Sequence, residues 1–184
     1  MNKLKHFLPR YILLTLYKSL VMPHLLYGIH LWGSKYKKLE KLQKRAIRII
    51  RGASYNAHTE PIFKELELLK LQDLCALQDL KFCYKFTNNI LPIYFNSIFI
   101  RNSDNHSFQT RTANDFQIPN IRNSFAKNNI RYRIPVAYNN CPNIIKEKIQ
   151  THSITGFSCY LKNNLLQNYF FVCNIDNCYI CNRR

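Results

Sequence analysis

Two groups of residues have the types and spacing to do chemistry. The first is a set of seven cations between positions 37 and 51: Lys37, Lys38, Lys41, Lys44, Arg45, Arg48 and Arg51. Ammonium and guanidinium groups at one-turn intervals suit phosphate oxygens, a contact that positions a nucleic acid without reading its bases. The second is Cys173-x4-Cys178-x2-Cys181 near the end of the chain. A Cys-x2-Cys turn brings two sulfurs onto one ion, so these three are candidate ligands of a structural zinc. His152 and Cys159 are the candidates for the fourth ligand, and the competing reading is an unligated cysteine tail. The acids are sparse, and none forms an adjacent pair. No two-carboxylate site for metal-assisted phosphoryl transfer is therefore legible, and neither is a glycine-rich phosphate loop. The expectation is a chain with no catalytic residue of its own and no cofactor beyond the candidate zinc. His24, His30, His58 and His106 have no partner constellation and read as structural or surface residues.

A helix from about Tyr36 to Arg51 must position the cations, with Gly52 as its stop. At 100° per residue, Leu39, Leu42, Ala46, Ile49 and Ile50 fall within roughly 100° of arc, and Ile47 lies about 60° beyond. All seven cations fall on the other side within about 140°. Glu40 is the only acid among them. Uncompensated like charges repel along a helix, so this face reads as a surface for a polyanion. A solvated basic face is the competing reading.

The other elements are mostly helical. A first helix begins at Pro9 and carries Leu13, Leu16, Tyr17 and Leu20. The chain is expected to break near Pro23 and resume through Leu25, Leu26, Ile29 and Trp32, giving a buried pair of helices. Thr59 and Pro61 start a short helix to about Leu66. A helix from about Asp73 to Asn88 has a wide apolar surface and reads as central, with Cys75 and Cys83 as small buried hydrophobes. Residues 101–140 are rich in Asn, Arg and Ser and read as irregular with short strands. There Arg111, Arg122, Arg131 and Arg133 lie among Tyr132 and Phe125, either as a base-stacking surface or as a solvated polar loop. Residues 141–184 return to helical texture and end in the cysteines. The fold class expected is mainly α: a helical bundle over 1–100, an irregular region over 101–140 and a helical, Cys-ended tail over 141–184.

The whole composition agrees with the cationic helix. Lys and Arg number 27 against 10 Asp and Glu, a formal charge of +17 over 184 residues. The chain is 47% hydrophobic and 14% aromatic, which excludes a disordered polyelectrolyte and puts the charge on a folded scaffold. The expected partner is nucleic acid. Seven cysteines cannot pair completely, and the start lacks the pattern of a secretory signal, so the expected compartment is reducing, nuclear or cytoplasmic. Residues 11–32 are apolar, but Lys18 and Pro23 argue against a membrane span. A membrane or partner-helix surface there is the alternative function.

Several segments, in order, resemble the region after the polymerase palm in non-LTR retrotransposon reverse transcriptases of the Jockey-like lineage. They are Phe7-Leu8-Pro9 through Leu16-Tyr17-Lys18-Ser19-Leu20, then Pro23-His24-Leu25-Leu26-Tyr27-Gly28 and Trp32-Gly33. Leu42-Gln43-Lys44-Arg45-Ala46-Ile47-Arg48-Ile49-Ile50 is similar to that family's basic thumb helix. His58-Thr59-Glu60-Pro61-Ile62-Phe63 and Leu68-Leu69-Lys70-Leu71-Gln72-Asp73-Leu74 follow in the expected order. Arg131-Tyr132-Arg133-Ile134-Pro135 and Tyr138-Asn139-Asn140-Cys141-Pro142 look like the post-thumb segment. The resemblance implies a thumb-like bundle that closes on a primer–template duplex, RNA–DNA or DNA, through the seven cations. It also implies that the palm, with its two-Asp motif, belongs before residue 1 in a longer parent. The expectation is then a truncated, non-catalytic binding remnant of an RNA-directed DNA polymerase.

Overall fold

The computed structural model describes residues 3–32, 37–105, 108 and 110–169. The fold is mainly α, as the periodicity predicts. Helix α1 (Arg10–Leu16) starts directly after Pro9 and runs through one wide turn, Tyr17–Val21, into α2 (Met22–Leu26). In that turn the Met22 N–H reaches back five residues to the Tyr17 carbonyl. Pro23 has no N–H to donate, and its ring crowds the carbonyl four residues back. The chain answers with a single π-type turn instead of the break expected at Pro23. The break falls later, where Tyr27 is extended and Gly28 takes φ 62°, and α3 (Ile29–Trp32) follows. This segment buries one face only. Leu13, Tyr17, Leu25 and Ile29 are buried, whereas Tyr11, Leu20, Tyr27 and Leu31 are exposed. The expected buried pair of helices is thus buried along that face alone. Among the described residues no helix is long and apolar enough to cross a membrane.

Helix α4 spans Lys37–Arg51, α5 spans Glu60–Glu65 and α6 spans Leu71–Thr87. Thr59 precedes α5, and its carbonyl accepts the Phe63 N–H at 2.9 Å, but its side chain makes no capping bond. Further on lie α7 (Asn102–Asn105), α8 (Ile130–Asn139), α9 (Asn143–Thr151) and α10 (Ile154–Gln167). The short strands expected in 101–140 are not formed among the described residues, where the β pairing is a single isolated bridge between Arg101 and Phe116. The end of that region is helix α8. The Asn129 side chain accepts the Arg131 N–H at 3.0 Å and caps it. Pro135 lies inside this helix. The bond it omits would end on the carbonyl of exposed Arg131, where water can substitute.

The chain packs as two compact units, Met1–Leu74 with Lys162–Arg184, and Cys75–Leu161. Their limits fall inside α6 and α10, across the changes of sequence texture at 100 and 140. In the first unit Leu13, Tyr17, Ile29, Ile47, Ile50, Phe63, Leu69 and Leu71 are buried. Tyr169 is buried there too. Its hydroxyl bonds Asp73 and accepts the Lys70 N–H at 2.9 Å, with the Lys70 ammonium 4.5 Å from the ring centre. Burial, and then the bond to Asp73, push that phenol well above its ordinary range. The second unit is built on aromatic edges. Phe82, Phe86 and Phe116 each meet Phe99 edge-on with centroids 5.3–6.2 Å apart, and Phe116 meets Tyr138 at 4.7 Å. The Asn139 amide holds Phe116 by its backbone, accepting its N–H at 3.0 Å and donating to its carbonyl at 2.8 Å.

Candidate nucleic-acid interface

Gln43 decides which way α4 faces. It is 1% exposed, between Ile47 and Ile50 on the buried side of the helix. Its Nε2 donates to the Tyr17 hydroxyl and to the Leu69 carbonyl, both at 3.0 Å, and its Oε1 accepts the Leu71 N–H at 2.9 Å. Both donors and the acceptor of the amide are used, so its burial costs little. The buried arc is therefore centred on Gln43, about 70° from the centre of the arc expected from apolar residues alone. Leu42, expected inside, is 61% exposed, and Leu39, Ala46 and Ile49 are half-buried.

That rotation sorts the seven cations. Lys38, Lys41 and Arg45 lie on the arc directly opposite Gln43. All three are exposed and have no acid partner among the described residues. Lys44 is paired with Glu40 at 2.5 Å, one turn back. Arg51 donates to Glu65 at 2.7 Å, and Arg10 donates to the same carboxylate at 2.7 Å. The Arg10 bond first, and the Arg51 bond after it, hold the Glu65 carboxyl below its ordinary value. Arg48 is half-buried, and its Nε donates to the Ala57 carbonyl at 2.8 Å. Burial pulls its guanidinium below the usual value, and nearby Tyr55 opposes that shift. Lys37 begins the helix, and its side chain lies outside the described residues.

The end of α4 adds a feature that the sequence reading missed. The Gly52 N–H bonds the Ile49 carbonyl at 3.3 Å and the Ala53 N–H bonds the Arg48 carbonyl at 3.0 Å. Gly52 has φ 75°, a left-handed cap that any side chain would strain. The chain turns back over the last turn of the helix and closes an open recess of about 250 Å³. Lys5, Arg45, Arg48 and Tyr55 line it, with Ile49 and Ala53. No acid is among its lining residues. Gly52 was the available signal, since a left-handed cap sends the following residues back along the helix.

The other candidates separate as follows. Arg133, weighed as a base-stacking cation, grips Asp79 with one Nη at 2.6 Å from each carboxylate oxygen and its Nε at 3.2 Å. Arg111, Arg122 and Arg131 are exposed. Cys75 and Cys83 are buried, as expected of small hydrophobes, and burial raises the Cys83 thiol far above its ordinary value. Cys141 is half-buried, and desolvation raises it to about 11. Cys173, Cys178 and Cys181 lie outside the described residues. Among the described residues, no group of three or more His, Cys, Asp or Glu is placed to hold a metal. His152 and Cys159, the candidate fourth ligands, are exposed, and the His152 ring lies 2.9 Å from the Thr151 hydroxyl. No protein-family model, curated protein or solved structure matches the chain.

Proposed function

We propose that this chain binds the sugar–phosphate backbone of a nucleic-acid duplex, without sequence preference, through α4. One observation carries the reading: Lys38, Lys41 and Arg45 share the exposed arc opposite Gln43 and have no acid partner among the described residues. Three exposed cations on one helix face suit phosphates spaced along a groove edge. The +17 charge adds long-range attraction to a polyanion. The ordered set of similar segments supports descent from the thumb and post-thumb part of a non-LTR retrotransposon reverse transcriptase. On that reading polymerisation belongs to a longer parent with catalytic carboxylates, this chain alone is not an enzyme, and it works in the nucleus or cytoplasm. A structural zinc at Cys173, Cys178 and Cys181 is part of the same proposal.

The test is a salt titration of binding to a blunt duplex. Three phosphate contacts predict that log K falls against log salt with a slope of about −3. Replacing Lys38, Lys41 and Arg45 singly by Gln is expected to flatten the slope by about 0.9 each. A slope near zero for the unaltered protein sinks the proposal. Primer extension by the same preparation with Mg²⁺ and dNTPs is expected to yield no product, and extension would overturn the non-catalytic part.

A further inference from the structure

The recess at the end of α4 joins two chemistries in one place. Lys5, Arg45 and Arg48 supply three cations, and Tyr55 supplies an aromatic ring that is 78% exposed. The Arg48 head is held by its Nε bond to Ala57, which leaves both terminal nitrogens without a partner among the described residues. It is thus preset for an anion at little cost in side-chain entropy. Arg45 belongs both to the recess and to the exposed arc with Lys38 and Lys41. The volume, about 250 Å³, suits part of one nucleotide and excludes a paired duplex. Cations beside an exposed aromatic ring are the usual means of holding single-stranded nucleic acid, because every base has a face to stack.

We propose that this recess takes the phosphate of one unpaired nucleotide, with its base laid on Tyr55. The protein then distinguishes a duplex carrying a single-stranded extension from a blunt one. Arg45, common to both surfaces, marks where the strand passes from paired to unpaired. The inference rests on the reading of α4 as the duplex-binding face.

The experiment uses the full chain, at one salt concentration, with a blunt duplex and the same duplex carrying a short unpaired extension. The extension is expected to tighten binding on the order of tenfold, the worth of one stacked base. Tyr55→Ala is expected to abolish that gain and leave the blunt affinity unchanged. Tyr55→Phe, which keeps the ring, is expected to retain it. The exposure of Tyr55 makes both variants compatible with folding. The double variant Lys38→Gln with Lys41→Gln is expected to weaken both duplexes alike. Equal affinity of the unaltered protein for the two duplexes, or a gain that survives Tyr55→Ala, overturns the recess proposal and leaves duplex binding standing. Binding of the extended duplex alone, lost in Tyr55→Ala, supports the recess and removes the duplex role of α4. Binding of neither overturns both.

Discussion

Gln43 is a polar side chain where an apolar one would be expected, and three bonds to Tyr17, Leu69 and Leu71 keep it there. Gln43→Ala would leave a buried carbonyl and a buried N–H without partners and open a cavity. A loss of roughly 2–4 kcal/mol is expected, read as a lower urea midpoint at unchanged slope. Gln43→Leu restores apolar volume but not the bonds, so it is expected to remain well below the unaltered protein. A loss under about 1 kcal/mol in both would show the network to be weakly coupled to folding. At this scale, the sequence showed the seven cations on one side of a helix but not which were already engaged. The Glu40–Lys44 pair is legible from its one-turn spacing. The partners of Arg48 and Arg51 are Ala57 and Glu65, beyond the end of the helix, and only the chain path brings them back.

The C-terminal end of helix α4 was legible to the residue, because Gly52 supplies the left-handed cap that ends it. Pro23 does not break its helix, and Pro135 lies inside another, for a shared reason. Proline removes one bond, and whether that breaks a helix depends on what else can satisfy the freed carbonyl. A wide turn absorbs Pro23, and solvent beside exposed Arg131 absorbs Pro135. Helix α8 is tied to α6 by the two-pronged Arg133–Asp79 pair, with Asp79 itself 6% exposed. Removing one member of such a pair takes the facing charge from the other, which stays buried. Arg133→Met is expected to cost about 3–5 kcal/mol in urea unfolding. The double variant Asp79→Leu with Arg133→Met is expected to recover much of that loss. Single and double variants of equal stability would show that the pair adds little.

For the whole molecule the dominant quantity is the charge of +17. Self-repulsion of that size disfavours the compact state, and salt screens it, with a Debye length near 10 Å at about 0.1 M. The urea midpoint is expected to rise between low salt and about 0.2 M, even as duplex affinity falls over the same range. A midpoint that falls with salt would mean that ion pairs such as Arg10–Glu65 outweigh the repulsion. The two compact units are less legible than the charge. Their limits lie within α6 and α10, continuous helices whose sequences give no sign of a boundary.

The sequence by itself determined the helical class, the C-terminal end of α4 and the grouping of its cations, because each follows from local spacing and local turn chemistry. Only the tertiary structure decided how α4 is rotated, which of its cations have no acid partner among the described residues, and that a basic recess forms at the end of the helix. Periodicity says which residues share a face. Which face is buried depends on contacts that arrive from elsewhere in the chain: here the side carrying Ile47, Ile50 and the Gln43 bonds to Tyr17, Leu69 and Leu71 is buried, and Leu42 is left exposed.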